Sequence, residues 1–96
     1  MLLKAGVDIS RLNRNIRRTL NIVNDVFYDN GAEMVITSTY EGNHSPSSLH
    51  YSNDAFDIRL PVVRIAMVVE ILKSRLGKDI DVVPESNHIH VEYDPK

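Results

Sequence analysis

The order of apolar and polar residues along the chain predicts two helices. Apolar residues recur at helical spacing from Ser10, a candidate N-cap, to about Asp29, where an asparagine and a glycine follow. A second apolar stripe begins with Pro61 and ends at Gly77. Its apolar positions are Val62, Ile65, Ala66, Met67, Val68, Val69, Ile71, Leu72 and Leu76. Because this stripe is the wider one, we expect the second helix to be more deeply buried than the first.

Four short stretches have the composition and pattern of strands. They are Glu33–Thr39, Ala55–Leu60, Asp79–Val83 and His88–Tyr93. In the second and the fourth, one face is apolar and the other carries Asp57, His88 and His90. We therefore expect an α+β fold, a two-layer sandwich in the order α-β-β-α-β-β. Two helices would cover one face of an antiparallel sheet of about four strands, and the polar face would form an open groove.

Composition limits the classes of protein to which the chain can belong. Its 96 residues, 43% hydrophobic and 25% charged, describe one domain that spans residues 1–96. The net charge of −2 gives no basic surface for nucleic acid. No apolar run has the roughly 20 residues of a membrane span, and the N-terminus does not resemble a signal peptide. We therefore expect a soluble protein that is synthesised in the cytoplasm and has no membrane partner.

Histidine and carboxylate side chains indicate a metal site on the polar face. His50 precedes the strand that carries Asp57, and Glu85 precedes the pair of His88 and His90. The chain has no cysteine, so imidazole nitrogen and carboxylate oxygen would hold the metal, and both are zinc ligands. Three protein ligands and an open position are typical of catalytic zinc, and Glu85 supplies a further carboxylate for proton transfer.

Each of these residues also has a simpler interpretation. His50 is compatible with a solvated loop residue and Glu85 with a turn residue, while the two histidines of the last strand are compatible with an exposed strand face. Asp57 is harder to explain in this way, because aspartate is depleted in strands and a buried charge needs compensation. Either Arg59 or a cation would provide it. The convergence of these residues on one face favours the metal site.

Two segments of the chain together resemble a known family. Ser48-Leu49-His50 through Ala55-Phe56-Asp57, followed by Glu85-Ser86-Asn87-His88-Ile89-His90-Val91-Glu92, is similar to a group of zinc peptidases. That group includes D-alanyl-D-alanine carboxypeptidases, VanX-type dipeptidases, phage L-alanyl-D-glutamate endolysins and the metal-binding domain of Hedgehog proteins. The short phage-encoded members are the most similar, since they also begin with a helix before an Ile-Thr-Ser strand. The resemblance covers nearly the whole chain.

The resemblance implies a role for each residue of the motif. His50, Asp57 and one C-terminal histidine would hold zinc, and Glu85 would act as general base on a zinc-bound water, the nucleophile. Members of the family differ in the spacing of the third ligand, so His88 and His90 are both candidates. We expect His90 to bind zinc, because it lies farther inside its strand. His88 would then hydrogen-bond the tetrahedral intermediate or orient Glu85.

The chain departs from the family pattern at two positions. Asn53 stands where many members have a glycine, and Tyr40-Glu41 stands where many have an arginine. In the family, that arginine recognises the oxyanion or the carboxylate of the substrate. Three other residues are candidates for substrate binding: His44, Ser48 and Arg59.

The resemblance implies a zinc metallopeptidase that hydrolyses an amide bond in peptidoglycan stem peptides. Both a D,D-carboxypeptidase and an L-alanyl-D-glutamate endopeptidase fit this description. The phage-encoded members imply association with a virion or release to the cell wall. A second interpretation is a non-catalytic zinc-containing module on the same fold, for binding or for virion structure. The presence of Glu85 favours the enzyme, and the absence of the arginine favours the module.

Overall fold

A mixed sheet and the helices that pack on one of its faces make up the fold. A computed structural model describes residues 1–40 and 53–95. The strands are β1 (Leu2–Leu3), β2 (Val35–Ser38), β3 (Ala55–Arg59), β4 (Ile80–Pro84) and β5 (His88–Tyr93). The helices are α1 (Arg14–Arg17), α2 (Thr19–Asp29) and α3 (Ile65–Leu76). The strand order in the sheet is β1-β2-β3-β5-β4, which places β3 at the centre.

The α+β class is confirmed, whereas the prediction of an antiparallel sheet of about four strands is wrong. β1 is a fifth strand, and its residues Leu2 and Leu3 pair in parallel with Val35 and Ile36. The other strand pairs are antiparallel. The four predicted strands are present: His88–Tyr93 has the predicted ends, and the ends of the others differ by at most two residues. A strand as short as β1 carries no alternating pattern, so the sequence gives no signal for it.

The predicted first helix begins later than expected and is interrupted. Ser10 is not its N-cap, because the Ser10 backbone N–H donates to Asp8 Oδ1 at 2.9 Å and helical structure begins at Arg14. The Arg17 guanidinium donates to the carbonyl oxygens of Ile9 and Ser10 at 2.8 and 2.7 Å. The guanidinium therefore satisfies the Ile9 and Ser10 carbonyl oxygens, which in a helix would accept from backbone N–H groups.

The second helix begins at Ile65 rather than at Pro61, and it is the less buried of the two. Arg64, which precedes it, adopts a φ of 61°. A non-glycine residue in the left-handed region interrupts helical geometry, so the helix starts after it. α2 buries Thr19, Leu20, Val23, Val26 and Phe27, and α3 buries Val68, Val69 and Leu72. The predicted order of burial is therefore wrong: Val62 and Met67 of the broad apolar stripe are exposed.

The hydrophobic core lies between the helices and one face of the sheet. Its largest fully buried side chains include Phe27, Phe56, Ile16, Met34, Ile36, Ile58, Leu72 and Ile89. On β3 and β5 these residues alternate with polar ones, as the sequence predicts. Except for Val35 and Ala55, the described buried hydrophobic residues belong to one cluster. The other face of the sheet therefore carries the polar side chains of β3 and β5.

Asn53 leads into β3 in a conformation that few residues adopt. Its φ is 64°, in the left-handed region that glycine and asparagine tolerate best. Its carbonyl oxygen accepts a hydrogen bond of 2.9 Å from the Asn13 backbone N–H, which connects the start of β3 to the segment before α1. A left-handed position explains why asparagine can stand where many members of the resembled family have glycine.

We expect Asn53→Ala to lower the free energy of unfolding by about 1–2 kcal/mol relative to Asn53→Gly. Alanine carries a Cβ that is strained at this φ, whereas glycine is not. Both variants remove the same side-chain amide, so the comparison between them isolates the backbone effect. Urea denaturation measures the difference, and a glycine variant less stable than the alanine variant would show that the strain of alanine is smaller than the entropy that glycine loses on folding.

Candidate metal and catalytic site

Asp57 is a buried carboxylate on the central strand of the sheet. It is 8% exposed, and it lies between Phe56 and Ile58, whose side chains belong to the core on the opposite face. A buried carboxylate is costly unless an opposite charge or hydrogen bonds compensate it. The neighbouring strand β5 supplies this compensation, since His90 is the cross-strand partner of Asp57.

His90 lies between two carboxylates. Its Nδ1 is 2.9 Å from Asp57 Oδ1, and its Nε2 is 3.2 Å from Glu92 Oε1. The hydrogen bond with Asp57 raises the pKa of the His90 imidazole above its ordinary value. Burial opposes this rise, and the charges of Asp57 and Glu92 add to it. The two carboxylates therefore favour a positive charge at this position, which either a proton or a metal ion supplies.

His88 approaches the same oxygen of Asp57 from the next position on this face of β5. Its Nε2 is 3.8 Å from Asp57 Oδ1, and its Nδ1 is 2.6 Å from Asn87 Oδ1. In a hydrogen bond between these two atoms Nδ1 is the donor, because an amide oxygen only accepts. Such a contact on the far nitrogen fixes the orientation of a metal-binding imidazole. The two histidine side chains thus converge on one carboxylate oxygen.

Asp57 and either one of these histidines offer the oxygen and nitrogen donors that zinc takes. Ligand atoms around a tetrahedral zinc ion are about 3.3 Å apart for bonds of about 2.0–2.1 Å. The distances of 2.9 and 3.8 Å from Asp57 Oδ1 to the two histidines lie on either side of that value. Within the described part of the chain, Asp57, His88 and His90 do not form a group whose ligand atoms all lie within 4.8 Å of one another. One histidine, rather than both, therefore fits beside Asp57.

Three of the predicted site residues lie outside the described residues. They are His50, the other predicted ligand, and His44 and Ser48, which are candidates for substrate binding. All three belong to residues 41–52. The roles assigned to them stay predictions.

Glu85 lies in the hairpin between β4 and β5. Its backbone N–H donates to the His88 carbonyl oxygen at 2.8 Å, so Glu85 stands directly across from His88. Its side chain is exposed. A general base must exchange protons with a substrate or a water molecule, so this exposed position beside the histidine pair is compatible with the predicted role.

Arg59 is exposed and does not take the place predicted for it as the partner of Asp57. Its cross-strand neighbour is His88, and the described ion pairs of Asp57 are with the two histidines of β5. Arg59 instead lines a polar cavity of about 320 Å³. The residues around this cavity are Lys4, Thr37, Asp57, Arg59, Asn87 and His88.

Sequence reasoning missed four residues of the site: Lys4, Thr37, Asn87 and Glu92. Glu92 follows His90 by two positions on β5, so both side chains lie on the same face of the sheet. This alternation was the sequence signal for the contact between His90 and Glu92. Asn87 is adjacent to His88, but its contact depends on the shape of the hairpin. Lys4 follows β1, a strand that no sequence pattern predicts, so nothing in the sequence associates it with Asp57.

Glu92 also belongs to a group of acidic residues beside the site. Ligand atoms of Asp81, Glu92 and Asp94 all lie within 4.8 Å of one another. This group offers only oxygen ligands, which suit magnesium or calcium better than zinc. It therefore gives no support to the zinc prediction.

Comparisons with known proteins add no identification. No family model matches the chain, and no curated protein is significantly similar to it. Among residues 1–40 and 53–95, no helix combines the length and the apolar composition that a bilayer crossing requires. The assignment of function therefore depends on the motif residues and on the geometry of the polar face.

Proposed function

We propose that this protein is a zinc-dependent peptidase that hydrolyses an amide bond in peptidoglycan stem peptides. The proposal rests on Asp57, a buried carboxylate with an imidazole nitrogen of His90 at 2.9 Å and one of His88 at 3.8 Å. Burial of the Asp57 carboxylate destabilises the fold unless its charge is compensated. Together with a histidine of β5 it provides the oxygen and nitrogen donors of a zinc site. The same residues occupy motif positions of the zinc peptidases that the sequence resembles.

The residues of the chain have distinct roles in the proposed reaction. His50, Asp57 and His90 would hold the zinc ion, which activates water and polarises the substrate carbonyl. Glu85 accepts the proton of the attacking water and donates it to the leaving amine. Asn87 contacts Nδ1 of His88 and orients the imidazole, so that an N–H at Nε2 would donate to the oxyanion of the tetrahedral intermediate.

Digestion of purified muropeptides tests the proposed function. We expect the protein to shorten stem peptides, a chelator to stop the reaction, and added zinc to restore it, with the products identified by mass spectrometry. The mass of the released fragment also identifies the scissile bond. Since the proposed substrate is in the cell wall, we expect the protein to act there from a virion or after release.

A non-catalytic zinc-containing module is the second candidate. It is favoured by Tyr40, which stands where many of the resembled peptidases have an arginine. The ring of Tyr40 is covered by the Arg11 guanidinium, which lies 4.6 Å from the ring centroid. Zinc binding without cleavage of any D,D- or L,D-linked stem peptide would overturn the peptidase and support the module.

Both candidates require zinc, so we expect zinc to stabilise the fold. At a free zinc concentration about 100 times the Kd, binding to the native state adds about 2.7 kcal/mol to the free energy of unfolding. In a domain of this size the melting temperature should rise by roughly 10 °C or more. Thermal unfolding with chelator and with zinc measures the shift.

The variant Asp94→Asn is the matched control for the acidic group. It removes a carboxylate from that group and leaves Asp57 and His90 in place. The zinc-dependent shift should therefore be the same in this variant as in the wild type. A shift that disappears in Asp94→Asn, or that magnesium reproduces, would assign the stabilisation to the acidic group and contradict zinc binding at Asp57.

A further inference from the structure

The polar cavity beside Asp57 contains two cationic side chains that the proposed reaction does not use. Lys4 follows β1, and Arg59 ends β3. Both residues are exposed, and both line the cavity of about 320 Å³ that Asp57 and His88 also line. Within the described residues, no carboxylate forms an ion pair with either cation.

Charge is distributed unevenly around the candidate site. The cations of the cavity follow β1 and end the central strand β3, whereas Asp81, Glu92 and Asp94 lie on or next to β4 and β5. The carboxylate of Asp57 is the described anion of the cavity, and it is already paired with His90. The cavity therefore has two positive groups available for an anionic ligand. Lysine and arginine both recognise carboxylates, through charge-assisted hydrogen bonds.

We propose that Lys4 and Arg59 bind the free C-terminal carboxylate of the substrate, which would make the protein a carboxypeptidase rather than an endopeptidase. This inference rests on the proposed peptidase function. In a carboxypeptidase, one residue separates the scissile amide from the terminal carboxylate, and one extended residue spans about 3.3–3.6 Å. The carboxylate must therefore bind next to the reacting groups. The cavity meets this condition, because Asp57 and His88 belong both to it and to the candidate zinc site.

Lys4 takes over the function of an arginine that many of the resembled peptidases have. That arginine would follow the strand β2, where this chain has Tyr40. Lys4 follows β1, and its backbone N–H donates to the Ile36 carbonyl oxygen of β2 at 2.9 Å. Lys4 thereby lines the cavity beside Asp57. The short parallel strand β1 thus brings a basic residue to the site, although the residue that follows β2 at this point is not basic.

Binding of N-acetyl-D-alanyl-D-alanine and of its C-terminal amide tests this inference. Titrations followed by NMR, on the protein with and without zinc, give the two affinities. We expect the acid to bind about tenfold more tightly than the amide, since hydrogen bonds between charged groups are worth this much. Lys4→Gln and Arg59→Gln should each remove most of the preference, and higher salt should reduce it.

Two variants serve as controls. Lys78→Gln removes an exposed positive charge near β4, at the opposite edge of the sheet, and should leave the preference unchanged. Lys4→Arg keeps the positive charge and should keep the preference for the acid. Equal binding of acid and amide by the wild type, or an equal loss in Lys78→Gln and Lys4→Gln, would overturn the inference.

Hydrolysis distinguishes a failure of this inference from a failure of the proposed function. If the zinc-loaded protein cleaves acid and amide at the same rate and binds them equally, it is a peptidase without a carboxylate subsite. If it cleaves neither but prefers the acid in the titrations, and loses this preference in Lys4→Gln, the carboxylate subsite stands and the peptidase function fails.

Discussion

Glu85→Gln should lower the rate of stem-peptide hydrolysis by about a hundredfold or more and leave the zinc content unchanged. Glutamine is similar in size to glutamate but cannot accept a proton at neutral pH. Glu85 lies in the hairpin across from His88, outside the buried contact between Asp57 and His90. Its replacement should therefore affect proton transfer and not metal binding. Single-turnover hydrolysis and metal analysis on the same sample measure both properties.

Glu70→Gln is the matched control for this variant. Glu70 is an exposed glutamate on α3, which packs on the other face of the sheet. We expect this control to keep the wild-type rate. Wild-type activity in Glu85→Gln would remove Glu85 from the mechanism, and loss of zinc in that variant would make it a ligand instead of a base.

His90→Ala should lose zinc and activity together, whereas His88→Ala should keep zinc and lose mainly the rate of the chemical step. His90 Nδ1 is the closer of the two imidazole nitrogens to Asp57 Oδ1, at 2.9 Å against 3.8 Å for His88 Nε2. His90 is also placed by a regular strand ladder with β3 and β4 on its two sides. Metal analysis after dialysis against a zinc buffer measures the loss.

In these variants a loss of zinc binding must be distinguished from a loss of the folded structure. His90→Ala leaves Asp57 without its closest described partner, and a buried unpaired carboxylate destabilises the fold. His90→Gln keeps a hydrogen-bond donor for Asp57 and should stay folded while it loses zinc. Circular dichroism checks the fold of each variant. Zinc retained in His90→Ala but lost in His88→Ala would reverse the assignment and make His88 the third ligand.

Strand alternation was sufficient to predict the two faces of β3 and β5. Asp57, His88 and His90 lie on one face and Phe56, Ile58 and Ile89 on the other, because side-chain direction in a strand depends only on sequence position. The same local property explains why the α+β class was correct. Helical periodicity was less reliable at the ends of helices. Contacts of Arg17 with the Ile9 and Ser10 carbonyl oxygens are made by a long side chain, and no apolar pattern records them.

Strand pairing decided the features that local patterns cannot encode. It set Asp57 against His90, 33 positions apart, and left Arg59 to line a cavity instead of compensating that carboxylate. It also added β1 to the sheet in parallel and so brought Lys4 to the candidate site. Residue type and periodicity show which side chains share a face. Which of them come into contact depends on register and strand order, and these are fixed by packing of the whole chain.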